Sequence, residues 1–215
     1  MGEKSLAVDH CGDTLTPKAD SINILLFLCQ GFEDLEAVAI LDVFRWTGYR
    51  ENLKTATVTT AGFHETVTSC CGLPLRPDIL YPDLDPSHYQ ALVLPGGFHS
   101  QGFEEAYDPG IHRLARQIHQ NGGMIVTMCV GILPIADAGL LKGVAATTYP
   151  YSRCHDNISR LKAGGARVVD LPVVMDNRII SCSGPGSCLE VAFLLMDSLL
   201  GPETTQQIKH FMLYQ

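Results

Sequence analysis

Met124-Ile-Val-Thr-Met-Cys-Val-Gly-Ile-Leu-Pro-Ile-Ala136 is the stretch on which the fold turns. Its first five residues are apolar or β-branched, follow Gly122-Gly123, and read as a buried strand. Val130-Gly131 then opens a segment, Ile132 to Leu140, that reads as a helix. Cys129 therefore falls on a sharp strand-to-helix turn. Such an elbow lifts the sulfur out of the sheet and aims the next backbone N–H groups at whatever is bonded to it. The positive end of the helix dipole is expected to favour thiolate over thiol, and thiolate is the attacking form. The competing reading is an inert buried cysteine, a common fate of free thiols.

Working outward, Ile22 to Cys29 is a nearly continuous apolar run, as befits a strand covered on both faces. Gly31-Phe32 turns the chain, and Glu33 to Thr47 carries apolar residues at helical spacing, with Gly48 as its stop. Lys54 to Ala61 alternates and reads as a second strand. Residues 62–89 are broken by Gly72, Pro74, Pro77, Pro82 and Pro86, so short strands and loops are expected. Ala91 to Leu94 is another buried strand, closed by Pro95-Gly96-Gly97. Asp108-Pro109 starts a helix that ends near Gln120. Val168 to Val174 and Arg178 to Cys182 flank Asp176-Asn177 as a hairpin. Ser187 caps a helix to Leu200, and Pro202-Glu203 starts a last one to about Tyr214.

Strands alternating with helices imply right-handed crossovers and a mostly parallel sheet covered on both faces. Ligands of such folds bind at the carboxyl ends of the strands. Three segments meet there: Gly31–Glu36, Gly96–His99 and Cys129. The 215 residues suffice for one well-buried domain, assigned to 22–215, with the polar stretch 1–21 as a loose extension. A net charge of −8 argues against nucleic acid, whose phosphates demand clustered Lys and Arg. No apolar run is long enough to span a membrane. The eight cysteines (Cys11, Cys29, Cys70, Cys71, Cys129, Cys154, Cys182, Cys188) form no C-x-x-C pair and no Cys/His cluster. Without a secretory signal a disulfide scaffold is not expected, and the location reads as cytoplasmic.

Taken together, Gly31-Phe-Glu-Asp-Leu-Glu36, Leu94-Pro-Gly-Gly97, Met128-Cys-Val-Gly131, Thr147-Thr-Tyr-Pro150 and Ser183-Gly-Pro-Gly186 resemble the ThiJ/PfpI superfamily in order and spacing. The likeness covers about residues 22–212 and is closest to the branch of ThiJ and the parkinsonism-associated deglycase. It implies a flavodoxin-like three-layer α/β/α sandwich, usually a homodimer, with an elbow cysteine beside a glutamate of the first helix. By position that glutamate is Glu36. Glu33 lies one turn earlier on the same face, where an acid also suits a helix N-terminus. Gly97 and Val130 would supply backbone N–H groups to an oxyanion hole, with Gly96 beside them.

Two positions depart from the family. Tyr149 stands where the deglycase has a histidine, and Val130 follows the nucleophile where peptidase-like members have a histidine. His99 and His155 are the candidate substitutes. The resemblance implies a cofactor- and metal-independent enzyme of the glyoxalase/deglycase type, acting on a small carbonyl compound or a glycated protein. Cys129 would add to the α-oxoaldehyde and Glu36 would move the proton. The alternatives are a redox-sensing stress protein or chaperone with an oxidisable Cys129, and an amide or peptide hydrolase of the class I amidotransferase kind.

Overall fold

Buried apolar runs with a period of two build the centre of the molecule. In the computed structural model, residues 22–49 and 53–214 are described; the expected extension 1–21 lies outside them. The elements, in chain order, are β1 (Ile22–Phe27), α1 (Asp34–Arg45), β2 (Ala56–Gly62), β3 (Val67–Thr68), β4 (Pro74–Leu75), β5 (Ile79–Leu80) and β6 (Ala91–Leu94). There follow α2 (Pro109–Gln120), β7 (Met124–Met128), α3 (Ile132–Asp137), β8 (Ala145–Ala146), α4 (Asn157–Ala163), β9 (Arg167–Val168), β10 (Val173–Asp176), β11 (Ile179–Cys182), α5 (Cys188–Leu200) and α6 (Pro202–Phe211).

The main sheet has the order β10-β11-β7-β6-β1-β2-β5. Only the β10–β11 pair is antiparallel. Alternate residues feed two separate apolar layers. Ile24, Leu26, Val93 and Val126 pack with Ile40, Val43 and Phe44 of α1 and with Val191 and Leu195 of α5. Leu25, Phe27, Leu92 and Leu94 pack on the opposite face with Ile111, Leu114 and Ile118 of α2, Ile135 of α3 and Leu161 of α4. Strands buried on both faces cannot alternate polar and apolar, which is why β1, β6 and β7 are uniformly apolar or small. The architecture is the expected three-layer α/β/α sandwich, with β6, β1 and β7 central and their carboxyl ends side by side.

Several boundaries differ from the sequence reading. The expected strand 168–174 is two pieces. β9 pairs parallel with β8, while β10 pairs antiparallel with β11. Pro172, which has no N–H to offer a ladder, separates them. The hairpin turn is Asn177-Arg178, one residue later than expected, with φ of 48° and 59°. Positive φ at both central residues is the type I′ requirement. α3 stops at Asp137, short of Leu140, because Gly139 enters the left-handed region at φ 79°. The last helix stops at Phe211, and Ser187 makes no side-chain capping bond, since a 3-10 turn over Pro185–Ser187 runs straight into α5.

Candidate active site around Cys129

Cys129 follows β7 directly and adopts φ 52°, a left-handed conformation that non-glycine residues avoid. A 3-10 turn, Cys129–Gly131, then leads into α3. Gly131 is required there, since a Cβ on it would meet the Leu94 carbonyl oxygen at 2.4 Å. Thr148 Oγ1 donates to the Cys129 carbonyl at 3.0 Å, strapping the segment after β8 to the elbow.

Glu36 sits in the first turn of α1 and is 0 % exposed. Gly96, after β6, donates its N–H to Glu36 Oε2 at 2.7 Å. A Cβ placed on Gly96 would stand 2.7 Å from Cys129 Cβ and 3.1 Å from that same Oε2. Gly96 is thus the point on which thiol and carboxyl converge, and only a residue without a side chain fits between them. Its N–H is committed to Glu36. Glu36 Oε1 is buried with no hydrogen-bond partner among the described residues. Burial, opposed by the Gly96 N–H and aided by Glu33, pushes the Glu36 carboxyl up to about 8. Near neutral pH it is largely protonated, so Oε1 is an O–H donor.

Glu33 has a different position. It is the N-cap of α1, and its carboxylate accepts from the Glu36 N–H at 3.1 Å. The loops carrying it are pinned by Glu33 N–H to Gly96 O and Phe98 N–H to Gly31 O, both 2.9 Å. The Gly97 N–H lies outside both bonds. The Val130 N–H is the one that follows Cys129 in the elbow turn.

The expected lowering of the Cys129 pKa does not hold. Burial, and after it the charge of an ionised Glu36, push the thiol up, against the Val130 N–H. The helix that was to favour thiolate has only six residues and begins after a 3-10 turn, so desolvation wins. Two further thiols share this environment, which the sequence reading did not single out. Burial followed by Glu36 pushes Cys182 up to about 12 and raises Cys188 as well. Their place after the strand neighbouring β7 was the available signal.

Tyr149 lies over Gly184, with Cδ2 3.6 Å from where a Cβ would stand, and its ring meets Tyr151 edge-on at 5.9 Å. His99 and His155 come together, ring centroids 4.9 Å apart, and His99 also stacks on Tyr107 at 5.8 Å. Burial lowers the His99 pKa. No hydrogen bond among the described residues joins either ring to Cys129. Asp34, Cys70 and Cys71 form a group of metal-type donors with ligand atoms within 4.8 Å of one another. Asp34 Oδ2 there accepts from the Cys70 thiol at 3.3 Å and the Cys71 N–H at 3.0 Å, bonds that account for the cluster without an ion.

An elbow cysteine, a buried first-helix glutamate and a Gly-Gly loop thus meet at the ends of β7, β1 and β6. The DJ-1/PfpI family model matches residues 22–198. The chain belongs to the DJ-1/PfpI family. Protein DJ-1 homolog A of Arabidopsis thaliana is 29% identical over 192 residues, spanning 88% of this chain but only 46% of that protein's own length. Glutathione-independent glyoxalase DJR-1.2 of Caenorhabditis elegans is 26% identical over 86% of this chain and 92% of its own. The crystal structure of Drosophila melanogaster DJ-1beta superposes with a TM-score of 0.78 at 26% identity, covering 91% of this chain and 99% of that one. This DJ-1/PfpI chain thus shares its sandwich with proteins of the family.

Proposed function

We propose that this chain is a cofactor-independent cysteine enzyme of the glyoxalase/deglycase type, acting on α-oxoaldehydes or early glycation adducts. The observation that carries the reading is Glu36, a buried carboxyl with Oε1 unpartnered, separated from the elbow cysteine only by Gly96. A group of pKa near 8 exchanges protons in both directions near neutral pH, which an acid–base shuttle must do.

As the sulfur adds to the aldehyde carbon, the thiol proton passes to solvent water while Glu36 protonates the developing alkoxide, leaving a hemithioacetal and a Glu36 carboxylate. The developing oxyanion lies between the Gly97 and Val130 N–H groups. Glu36 then takes the proton from the sulfur-bearing carbon and returns it to the neighbouring carbon through an enediol. The result is a thioester of a 2-hydroxy acid. Water cleaves it, releasing the acid and the thiol, so methylglyoxal plus water becomes lactate. Hemithioacetals and hemiaminals of early glycation retain the same carbon at the same oxidation level; there the bound thiol or amine leaves first and frees the aldehyde to which Cys129 adds. Tyr149, with His99 and His155 further out, would form the pocket wall. The relative named a glutathione-independent glyoxalase supports this assignment.

The test is purified chain mixed with methylglyoxal, with D- and L-lactate measured directly. Wild type is expected to make one enantiomer in excess, and Cys129→Ala none while keeping its circular dichroism. Lactate formation by Cys129→Ala, or none by wild type, removes the reading.

A further inference from the structure

Cys182 ends β11, and its register partner on β7 is Met128, so Cys129 is one residue beyond that pair. Neighbouring strands lie ~4.8 Å apart and one residue advances ~3.3 Å, which sets the Cα–Cα diagonal near about 5.8 Å. Disulfides span Cα separations of about 4.4–6.8 Å. The pairing of Cys182 with Met128 thus brings Cys182 to the strand end from which the elbow turns. Cys182 is buried and free, its thiol donating to the Gly184 carbonyl at 3.4 Å. Cys154, by contrast, is exposed on the loop before α4 and bonds only to Ser152.

We propose that Cys182 is the resolving thiol of Cys129, so that oxidation of the elbow by a hydroperoxide ends in a Cys129–Cys182 disulfide. In the first step the Cys129 sulfur attacks the terminal oxygen of the hydroperoxide. The O–O bond breaks, an alcohol or water leaves, and the sulfur becomes a sulfenic acid, oxidised by two electrons as the peroxide is reduced. In the second step the Cys182 sulfur attacks the Cys129 sulfur. The S–S bond forms, the S–O bond breaks, and the departing hydroxide takes the Cys182 proton and leaves as water. An external dithiol restores both thiols and is itself oxidised.

The disulfide occupies the sulfur that would add to a carbonyl carbon, and it diverts Cys129 from irreversible sulfinic acid. The inference needs only that Cys129 react with peroxide. It stands apart from the α-oxoaldehyde reading, which the lactate assay decides.

The experiment is two equivalents of hydrogen peroxide added to the reduced whole chain at neutral pH, followed by alkylation and non-reducing mass spectrometry. Formation of the bridge lowers the intact mass by about 2 Da, and fragmentation assigns it to Cys182. The fragment spectra are needed because Cys182 and Cys188 share the tryptic peptide after Arg178. Cys182→Ser and Cys182→Ala should lose the bridge and instead gain about 32 Da at Cys129. Wild type that gains the two oxygens at Cys129 with Cys182 alkylated overturns the proposal. So does a bridge from Cys129 to Cys188, Cys154 or Cys11, or a Cys129 that does not react at all.

Discussion

Glu36 is the residue whose environment departs furthest from what its type prefers, and its titration has consequences for both activity and stability. An unfolded glutamate ionises near its ordinary value of 4.5, while the folded one does so at about 8. Between these two values the folded chain binds more protons than the unfolded one, so stability falls as pH rises through that window. Below it the contribution is complete; above about 8 it is lost. Thermal melts of wild type should therefore decline from pH 5 to pH 8, and Glu36→Gln should flatten that decline. Equal slopes in the two proteins would mean that Glu36 ionises normally. In the lactate assay Glu36→Gln should lose ~10²-fold or more, the usual worth of a positioned proton carrier. Tyr149→Phe should keep most of the activity and change mainly the apparent affinity, because its ring packs over Gly184 as a wall of the site. A Tyr149→Phe protein as inactive as Cys129→Ala would give the phenol the role assigned here to the carboxyl.

The elements were readable in proportion to how far their own residues decide them. β6 and the start of α2 follow the sequence residue for residue, because a closed apolar run and an Asp-Pro cap are local signals. The split of 168–174 into β9 and β10 was not readable, because pairing with β8 is a long-range choice between short segments. At the site, the elbow was legible from Gly122 to Gly131. The burial that raises the Cys129 thiol was not, since it depends on α1 packing Glu36 against Gly96, 60 residues away in sequence. Glu33 shows the same limit, for one acid in a first turn looks like another until the N–H it accepts is seen. As the cap of α1, Glu33→Ala should cost about 1 kcal/mol in urea denaturation while lactate formation persists. Loss of activity equal to that of Glu36→Gln would instead put Glu33 in the chemistry.

Across the whole molecule, the alternation of strands and helices was enough to give the sandwich, since each face of the sheet demands its own layer. Association was less legible. Trp46, just past the end of α1, packs half-buried on the core with its ring tilted against Tyr49 at 5.7 Å. Leu35 and Val38, one turn apart, are the apolar side chains that α1 leaves in solvent, at 52 % and 51 % exposure. They are the expected contact of a homodimer. Light scattering should give about twice the chain mass of 23.4 kDa, and Val38→Asp should shift it towards the single chain. A concentration-independent 23.4 kDa species from wild type would refute the dimer.

The left-handed backbone of Cys129 carries an implication for how this sequence can change. A side chain at φ 52° is strained by on the order of 1 kcal/mol, which glycine would largely relieve. Cys129→Gly should accordingly melt higher than Cys129→Ala, even though both lack the sulfur. Selection on durability alone would drift residue 129 towards glycine and leave an inert, hardier sandwich. A cysteine held there marks a chain kept for what its thiol does, and a Cys129→Gly protein that melts no higher than Cys129→Ala would show that the elbow imposes no such tension.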